Sequence, residues 1–325
     1  MKDFLAERKR LFSYLGAKED SSSFFFSSRS FLFLSLYEGL RYLGRERIFL
    51  LDTEKNPFFS YLEEIFFFRF ERVPVDSMGR VDTKYVQENL DSSSFLFLQW
   101  ADPLLGTIQP MEEIAKISEE KGIFLHVDVS TILGKIPFRF SDLSIDFLSF
   151  SVDVKAGDSL STLIWKKNTP YFPFLQDMKR DQVLLELLSS LERIFSFQDQ
   201  MHFEIPHQRK YFEKEIHKQL PWVEFIGKPS LQLPDTLLMK LPGIFRENIR
   251  YCIQEKNRSF SFLQEDKDLS SVLMACGMDV FSANSTIRWS LPPEIPIEEL
   301  EKGISLFVEE VKRLKVLSEG IVSSL

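Results

Sequence analysis

Several kinds of residue are scarce in this chain of 325 residues. It has 13 glycines, below the roughly 7% of residues that is usual. Its two cysteines, Cys252 and Cys276, exclude a disulfide framework and are typical of a reducing compartment. No uninterrupted apolar run reaches the roughly 18 residues of a transmembrane helix, and the charged first residues lack the apolar core of a signal peptide. We therefore expect a cytoplasmic protein without a membrane partner.

An excess of basic residues is also lacking, since the chain has 40 lysines and arginines against 48 acidic residues. The net charge is −8 and the isoelectric point about 5.3, so no electrostatic footprint for nucleic acid is present. Neither a G-x-G-x-x-G segment nor a P-loop occurs. The four histidines are scattered, without the spacing of metal ligands. Nucleic-acid binding, phosphate binding through a glycine-rich loop and metal catalysis are not predicted.

The length and the strand–helix alternation predict a large and a small domain of α/β class. Residues 1–20 are predicted to form a helix that packs with the small domain. Residues 21–215 form the large domain, in which long helical periodicity over 177–215 predicts a helix bridging the two domains. Residues 216–325 form the small C-terminal domain, with short strands and a closing helix.

The most informative stretch is residues 122–155. An apolar, β-prone run ends at Asp128, and a second run, residues 145–151, is followed by Asp153 and Lys155. Ligand-binding groups in open α/β sheets lie at the carboxyl ends of strands. An acid and a lysine that meet there are the pair that a pyridoxal phosphate site needs, one for the ring nitrogen and one for the Schiff base.

Three segments resemble NifS-like cysteine desulfurases, in the class V aminotransferase family of fold-type I pyridoxal phosphate enzymes. HVDVSTILGKIP, residues 126–137, is similar to the family's H-T-D-A-V-Q-A-x-G-K-I-P, Gly106–Pro110 matches G-T-I-Q-P, and Asn284–Leu291 resembles S-x-R-F-S-L. The resemblance implies a mostly parallel seven-stranded sheet sandwiched by helices, a smaller α+β C-terminal domain, pyridoxal 5′-phosphate as cofactor, and a homodimer.

The resemblance also implies roles for single residues. Asp128 matches the acid that pairs with the ring nitrogen, and His126 matches the first His of H-T-D. Thr131 stands where a glutamine contacts the phenolic oxygen, and Arg288 matches the arginine that holds the substrate carboxylate. The alternative for Asp128 is an acid that caps the next turn. The alternative for His126 is a core histidine, and that for Arg288 is a strand arginine paired with nearby acids.

Lys155 is the candidate Schiff-base lysine, one residue later than the family's S-x-H-K places it. Aligned without a gap, Ser151 matches the motif's serine, Asp153 takes the place of its histidine, and Val154 that of its lysine. One residue turns an extended side chain to the other face, and a bulge would restore it. The alternative is a surface lysine in a loop.

Other motif positions depart from the family. Ser28–Phe31 stands where S-G-A-T cradles the phosphate, so that Arg29 replaces the glycine. As a residue near a helix start it is expected to be solvated, although a guanidinium is able to bind an anion. Glu54–Pro57 replaces E-H-P and lacks the ring-stacking histidine, and Ala101–Leu104 replaces A-N-N-E. Residues 257–263 replace the cysteine loop and contain no cysteine. Both cysteines are interpreted as core residues.

Three functions follow as hypotheses. The first is a NifS-like protein with eroded or altered pyridoxal phosphate chemistry, a pseudoenzyme that acts on a sulfur-transfer or iron–sulfur partner protein. The alternative is an active lyase, desulfurase or aminotransferase that uses Lys155 on a small amino acid. The third is a fold that binds another anionic ligand through Arg29 and Arg288.

Overall fold

The computed structural model describes residues 2–44, 47–66, 69–154, 159–170, 180–256, 262 and 267–322. The chain divides into two compact units. Unit 1 comprises Met1–Val75, Arg80–Ala101 and Gln109–Ser196, and unit 2 comprises Asp76–Gly79, Asp102–Ile108 and Phe197–Leu325.

The elements of unit 1 alternate between strand and helix. Its strands are β1 (Ser22–Phe26), β2 (Arg47–Leu51), β3 (Phe70–Val73), β4 (Ser94–Gln99), β5 (Phe124–Asp128), β6 (Phe147–Asp153) and β7 (Ser159–Trp165). Its helices are α1 (Lys2–Leu15), α2 (Arg29–Tyr42), α3 (Pro57–Phe66), α4 (Thr83–Asn89), α5 (Met111–Lys121) and α6 (Arg180–Ser196), with a short 3-10 turn at Phe140–Asp142.

These strands form one seven-stranded sheet in the order β1-β7-β6-β5-β4-β2-β3. Strands β6, β5, β4, β2 and β3 pair in parallel with one another, and β7 pairs antiparallel with both β1 and β6. The predicted α/β fold with a mostly parallel, helix-flanked sheet is confirmed. Because the central strands run parallel, their carboxyl ends lie along one edge, which is where Asp128 was expected.

Aromatic rings make up about half of the buried members of one core of unit 1, which explains part of the chain's 33 phenylalanines. Rings from α2 and α3 pack on rings from the sheet. The buried members of this cluster are Phe26, Leu32, Phe33, Leu36, Tyr37, Leu40, Ile48, Leu50, Phe59, Leu62, Phe95, Phe97, Phe147, Leu163 and Trp165. The packing of α2 on these sheet residues holds the start of the helix against the sheet.

The N-terminal helix belongs to unit 1. Helix α1 packs on α6, where the rings of Tyr14 and Phe195 lie 4.9 Å apart. The backbone N–H of Ser141 donates to the carbonyl of Gly16, 3.0 Å away. Residues 1–20 were predicted to pack with the small domain, whereas these contacts join them to α6 and the loop after β5, within unit 1.

The elements of unit 2 form a smaller α+β body. They are a π-helix at Gln200–Glu204, α7 (Ile205–Gln219), β8 (Glu224–Ile226), a 3-10 turn at Pro229–Leu231, β9 (Thr236–Lys240), α8 (Arg246–Lys256), α9 (Leu269–Ala275), α10 (Val280–Asn284), β10 (Thr286–Ser290) and α11 (Ile297–Val322). The strands form an antiparallel sheet in the order β10-β9-β8. Its core surrounds Trp289, whose ring lies 4.6 Å from that of Phe212.

The boundary between the units differs from the predicted one at residue 215. The chain leaves unit 1 at Ser196, because α7 buries Ile205, Phe212 and Ile216 in the core of unit 2. The single bridging helix predicted over 177–215 is instead α6, the π-helix and α7. Residues 177–179 of that prediction lie outside the described residues.

Gly134, in the G-K-I-P segment, shows why this motif needs a glycine. Its φ is +69°, and a Cβ there would lie 2.8 Å from the carbonyl oxygen of Ile194 on α6. Such a backbone conformation is strained for any L side chain. The glycine thus lets the loop after β5 approach the helix backbone closely.

We expect Gly134→Ala to lower the free energy of unfolding by about 3 kcal/mol, combining left-handed strain with overpacking. Gly44→Ala is the matched control, because its φ is +72° and a Cβ there meets none of the described residues within 4 Å. That variant should lose only about 1 kcal/mol. Urea denaturation of both measures the difference, and equal losses would contradict the close approach.

Candidate functional site

The central feature of unit 1 is the buried carboxylate of Asp128, at the carboxyl end of β5. The parallel register sets it beside Gln99 of β4 and Ser149 of β6. Its backbone carbonyl accepts from Trp100, 2.9 Å away. A strand end at this edge is the place where α/β sheets bind ligands, so the structure puts Asp128 where the sequence placed it.

An arginine neutralises this carboxylate. Arg29 Nη2 lies 2.9 Å from Asp128 Oδ1 and donates to Ser130 Oγ at 3.0 Å. The backbone N–H of Ser130 also donates to Oδ1, at 2.9 Å. Burial by itself would raise the pKa of Asp128, but the Arg29 charge and the Ser130 hydrogen bonds outweigh it, so that the pKa lies below its usual value. Asp128 is therefore a carboxylate anion.

The expectation that Arg29 is solvated is wrong. It is the first residue of α2, and only 30% of its side chain is exposed. Helix α2 docks on the sheet through its apolar face, which turns the side chain at its first position towards the end of β5. An ion pair between residues so distant in the chain leaves no local pattern in the sequence.

His126 completes a buried hydrogen-bonded chain. Its Nε2 lies 2.8 Å from Ser149 Oγ, and that hydroxyl donates to Asp128 Oδ2 at 3.1 Å. Because the one hydroxyl hydrogen goes to the carboxylate, the histidine donates from Nε2. Burial lowers the pKa of His126 to about 3. The side chain is thus a neutral core histidine, among the aromatic rings of Phe33 and Phe97.

Two further predicted site residues of unit 1, Thr131 and Ser151, are hydrogen-bonded to other residues of the chain. Thr131 Oγ1 donates to the carbonyl of Ala101 at 2.9 Å. The Ser151 backbone N–H donates to Ser130 Oγ at 2.9 Å, and its hydroxyl is hydrogen-bonded to Ser161 at 2.7 Å. Ser151 therefore lies close to the Asp128 network, whereas Thr131 is engaged elsewhere on the backbone.

Asp153 lies at the end of β6. It is four residues beyond Ser149, the partner of Asp128, which is about 13 Å along an extended strand. It is exposed and lines a cavity of about 770 Å³ with residues of α6, among them Glu186 and Arg193. Asp153 and Asp128 are thus not brought together. Lys155, the candidate Schiff-base lysine, lies outside the described residues.

Arg288 belongs to unit 2, on β10. Its Nη1 donates to the carbonyl of Pro103, 2.8 Å away. Asp102 in the same turn accepts hydrogen bonds from the backbone N–H groups of Leu104 and Leu105, both at 2.8 Å. The acid at the position of a family asparagine therefore closes its own turn.

The two cysteines lie on different parts of unit 2. Cys276 is buried at the end of α9, as expected of a core residue. Cys252 on α8 is half-buried, and Arg313 Nη2 lies 3.1 Å from its sulfur, so its interpretation as a core residue is wrong. The segment that replaces the cysteine loop lies outside the described residues except for Phe262, which stacks on Trp289.

The starts of two helices carry the positions that the resemblance assigns to the cofactor. Ser28 Oγ accepts from the backbone N–H of Phe31 at 3.2 Å and so caps α2. Asn56 Oδ1 accepts from Phe58 at 3.0 Å and caps α3. Arg29 is paired with the Asp128 carboxylate, to which a protonated ring nitrogen would have to bind. These described residues therefore do not fit pyridoxal phosphate.

A second polar pair at this edge was missed from the sequence. Gln99 Nε2 donates to Glu54 Oε2 at 2.7 Å, and Glu54 also accepts from the backbone of Asn56 at 2.9 Å. Burial, followed by the charges of Glu54 and Asp128, raises the pKa of Tyr37 well above its usual value. The rule that located Asp128 would have found Glu54 and Gln99, because both follow or end a parallel strand.

In the part of the chain that the structure describes, no group of three or more His, Cys, Asp or Glu side chains is placed to hold a metal ion. None of the helices in that part has the length and apolar character needed to span a membrane.

Known proteins match this chain in sequence and in fold. The aminotransferase class-V family model matches residues 64–154. A cysteine desulfurase of Sinorhizobium fredii is 24% identical over an alignment 332 residues long, which covers 95% of this chain and 85% of the relative. The cysteine desulfurase NifS of Azotobacter vinelandii is 24% identical over 263 residues, 76% of this chain and 65% of that protein. This chain thus spans slightly less than two thirds of NifS.

Solved structures agree. One described as a NifS-like protein has a TM-score of 0.80 at 20% identity, covering 97% of this chain and 87% of that one. The NifS-like protein from Rickettsia africae has a TM-score of 0.75, also at 20% identity, covering 97% and 88%. At such identity the structures show the fold, and together with the sequence matches they confirm the resemblance seen in the motifs.

Proposed function

We propose that this chain, a relative of the NifS-like cysteine desulfurases in the class V aminotransferase family, has lost pyridoxal phosphate-dependent desulfuration and acts through its surface on another protein. Because the fold is kept, the chain would still present a desulfurase-like surface to a partner that recognises one. A sulfur-transfer or iron–sulfur protein is the partner class that this ancestry favours. We further propose a homodimer in the cytoplasm.

The observation that carries the proposal is the bonding at the starts of α2 and α3. A phosphate at a helix start needs free backbone N–H groups and a close approach. Here Ser28 caps the backbone of α2, and Asn56, without an aromatic ring, caps α3. Both contacts stabilise helix starts. Each contact satisfies one backbone N–H of its helix start from within the chain.

The cysteine content supports the same proposal. Desulfuration through a persulfide requires a thiolate on a mobile loop. Residues 257–263 contain no cysteine. Cys276 is buried, and Cys252 lies on α8 against Arg313. Neither cysteine stands in the segment that the family uses.

Purification with added pyridoxal phosphate, followed by visible absorption, borohydride reduction and peptide mapping, tests this function. We expect a colourless protein, no labelled peptide, and no sulfide released from cysteine. The reason is that the groups for the phosphate and the ring are absent or engaged. NifS of Azotobacter vinelandii, treated identically, is the positive control. Cofactor fixed on Lys155 would overturn the proposal.

A second candidate is an active enzyme of the same family. It is favoured by Asp128, which remains a buried carboxylate at the carboxyl end of β5. Lys155 would then be the Schiff-base residue and Arg288 would hold the carboxylate of a small amino acid. A labelled Lys155 peptide in the borohydride experiment is the result that selects this candidate.

A further inference from the structure

Three donors from the chain itself bind the carboxylate of Asp128. Its Oδ1 accepts from Arg29 and from the Ser130 backbone, both at 2.9 Å, and its Oδ2 accepts from Ser149 at 3.1 Å. A carboxylate uses its lone pairs in about four directions. Arg29 is the one of these three donors that carries charge, so a ring cation that paired with Asp128 would have to displace Arg29 or lie beside a like charge.

Arg29 is also the cation that this buried anion requires. Removing a carboxylate from water is costly unless it is paired. Among the described residues, Arg29 is the only ion-pair partner of Asp128. His126, two residues away, does not supply the charge, because burial lowers its pKa to about 3.

The place of Arg29 is set by the start of α2. Ser28 has extended backbone angles, φ −158° and ψ 158°, and its side chain caps the helix. One turn later, Phe33 presents its ring to Arg29, whose Cζ lies 6.0 Å from the ring centroid. This is the distance of a cation–π contact. The guanidinium is thus held between an aromatic ring and the carboxylate.

We propose that Arg29 is an internal substitute for the cofactor's ring cation, so that the chain occupies its own ancestral site at Asp128. The inference rests on the proposed function and gives its physical basis at this position. A glycine at this position, as in the related motif, has no side chain that could reach the carboxylate. Arginine supplies both the positive charge and the donor. The site is closed to pyridoxal phosphate while Arg29 is present.

The test is chemical rescue of the full-length Arg29→Gly variant. Without the side chain, Asp128 keeps its burial and loses its cation, so the thermal midpoint should fall by several degrees. Methylguanidinium at millimolar concentration should restore much of that loss. Pyridoxal phosphate, titrated by absorbance, should bind Arg29→Gly at least tenfold more tightly than the unchanged chain.

Three controls make the result specific. Arg29→Gly combined with Asp128→Asn should lose the rescue by both compounds, because the anion is gone. Arg29→Lys should retain most of the stability and exclude pyridoxal phosphate, because the charge remains. Arg41→Gly, at the other end of α2, should show no rescue. If Arg29→Gly is poorly folded, Arg29→Gln preserves the stem and is tested for methylguanidinium rescue in the same way.

The outcomes separate this inference from the proposed function. Cofactor bound to Lys155 in the unchanged chain would overturn both. An unchanged chain that is colourless, with an Arg29→Gly variant as stable as it and insensitive to both compounds, would overturn the internal cation and leave the proposed function standing.

Discussion

Phe33→Ala should reduce the free energy of unfolding of unit 1 by about 3–5 kcal/mol, the usual cost of emptying a buried phenylalanine site. The Phe33 ring is 1% exposed. Its centroid lies 5.2 Å from that of Phe97, 5.4 Å from Phe59 and 5.9 Å from Tyr37. These rings come from two helices and a strand, so the cavity would be bordered by elements that cannot collapse together. Urea denaturation followed by circular dichroism measures the loss.

Two variants control this prediction. Phe33→Leu keeps most of the apolar volume and should lose much less stability. Phe281→Ala removes the same side chain from a position that is 71% exposed, and should stay within about 0.5 kcal/mol of the unchanged chain. A similar loss in Phe281→Ala and Phe33→Ala would show that the aromatic cluster is not a packed core. Because Phe33 also contacts Arg29, its removal should loosen the ion pair with Asp128.

Acid should destabilise this protein through His126. In the unfolded chain the pKa of this histidine is about 6.5, whereas burial lowers it to about 3 in the folded protein. Between these values the unfolded chain binds a proton that the folded protein does not, so stability falls as the pH falls. The slope approaches about 1.4 kcal/mol per pH unit. Across pH 6.5 to 4.5 we expect a loss of about 2 kcal/mol from this group.

His126→Gln isolates the effect. Glutamine does not titrate, and its amide is able to donate to Ser149 as the imidazole does. The difference in stability between the unchanged chain and this variant, measured by urea denaturation at several pH values, should change with pH below 6.5. The pKa of Asp128 is also lowered in the folded protein. The stability that this carboxylate contributes is therefore lost only below the ordinary pKa of an aspartate. A pH-independent difference would refute a buried, neutral histidine.

The fold was predictable because it depends on local patterns. Apolar runs of strand length alternate with amphipathic segments, and that alternation predicts a parallel sheet. The same rule placed Asp128 correctly, since the residue that ends a buried strand must lie at the sheet edge. It would have placed Glu54 and Gln99 there too, had it been applied to β2 and β4. The resemblance in residues 126–137 agrees with these local signals.

The boundary between the units was less predictable. Helices α6 and α7 share a similar periodicity, and periodicity does not say which core an apolar face enters. Residues Ile205, Phe212 and Ile216 decide it, because they pack around Trp289 in unit 2. The N-terminal helix poses the same problem, and its contact between Tyr14 and Phe195 places it in unit 1.

The alternation of strands and helices along the chain and the position of Asp128 are properties that residues impose over short distances, through strand periodicity and burial. The ion pair between Arg29 and Asp128 depends instead on the tertiary structure. The sequence alone predicts a solvated Arg29. Only the packing of α2 on the sheet brings its guanidinium within 2.9 Å of Asp128. An ion pair between two segments depends on where each is carried by the core, and no local pattern encodes the distance between them.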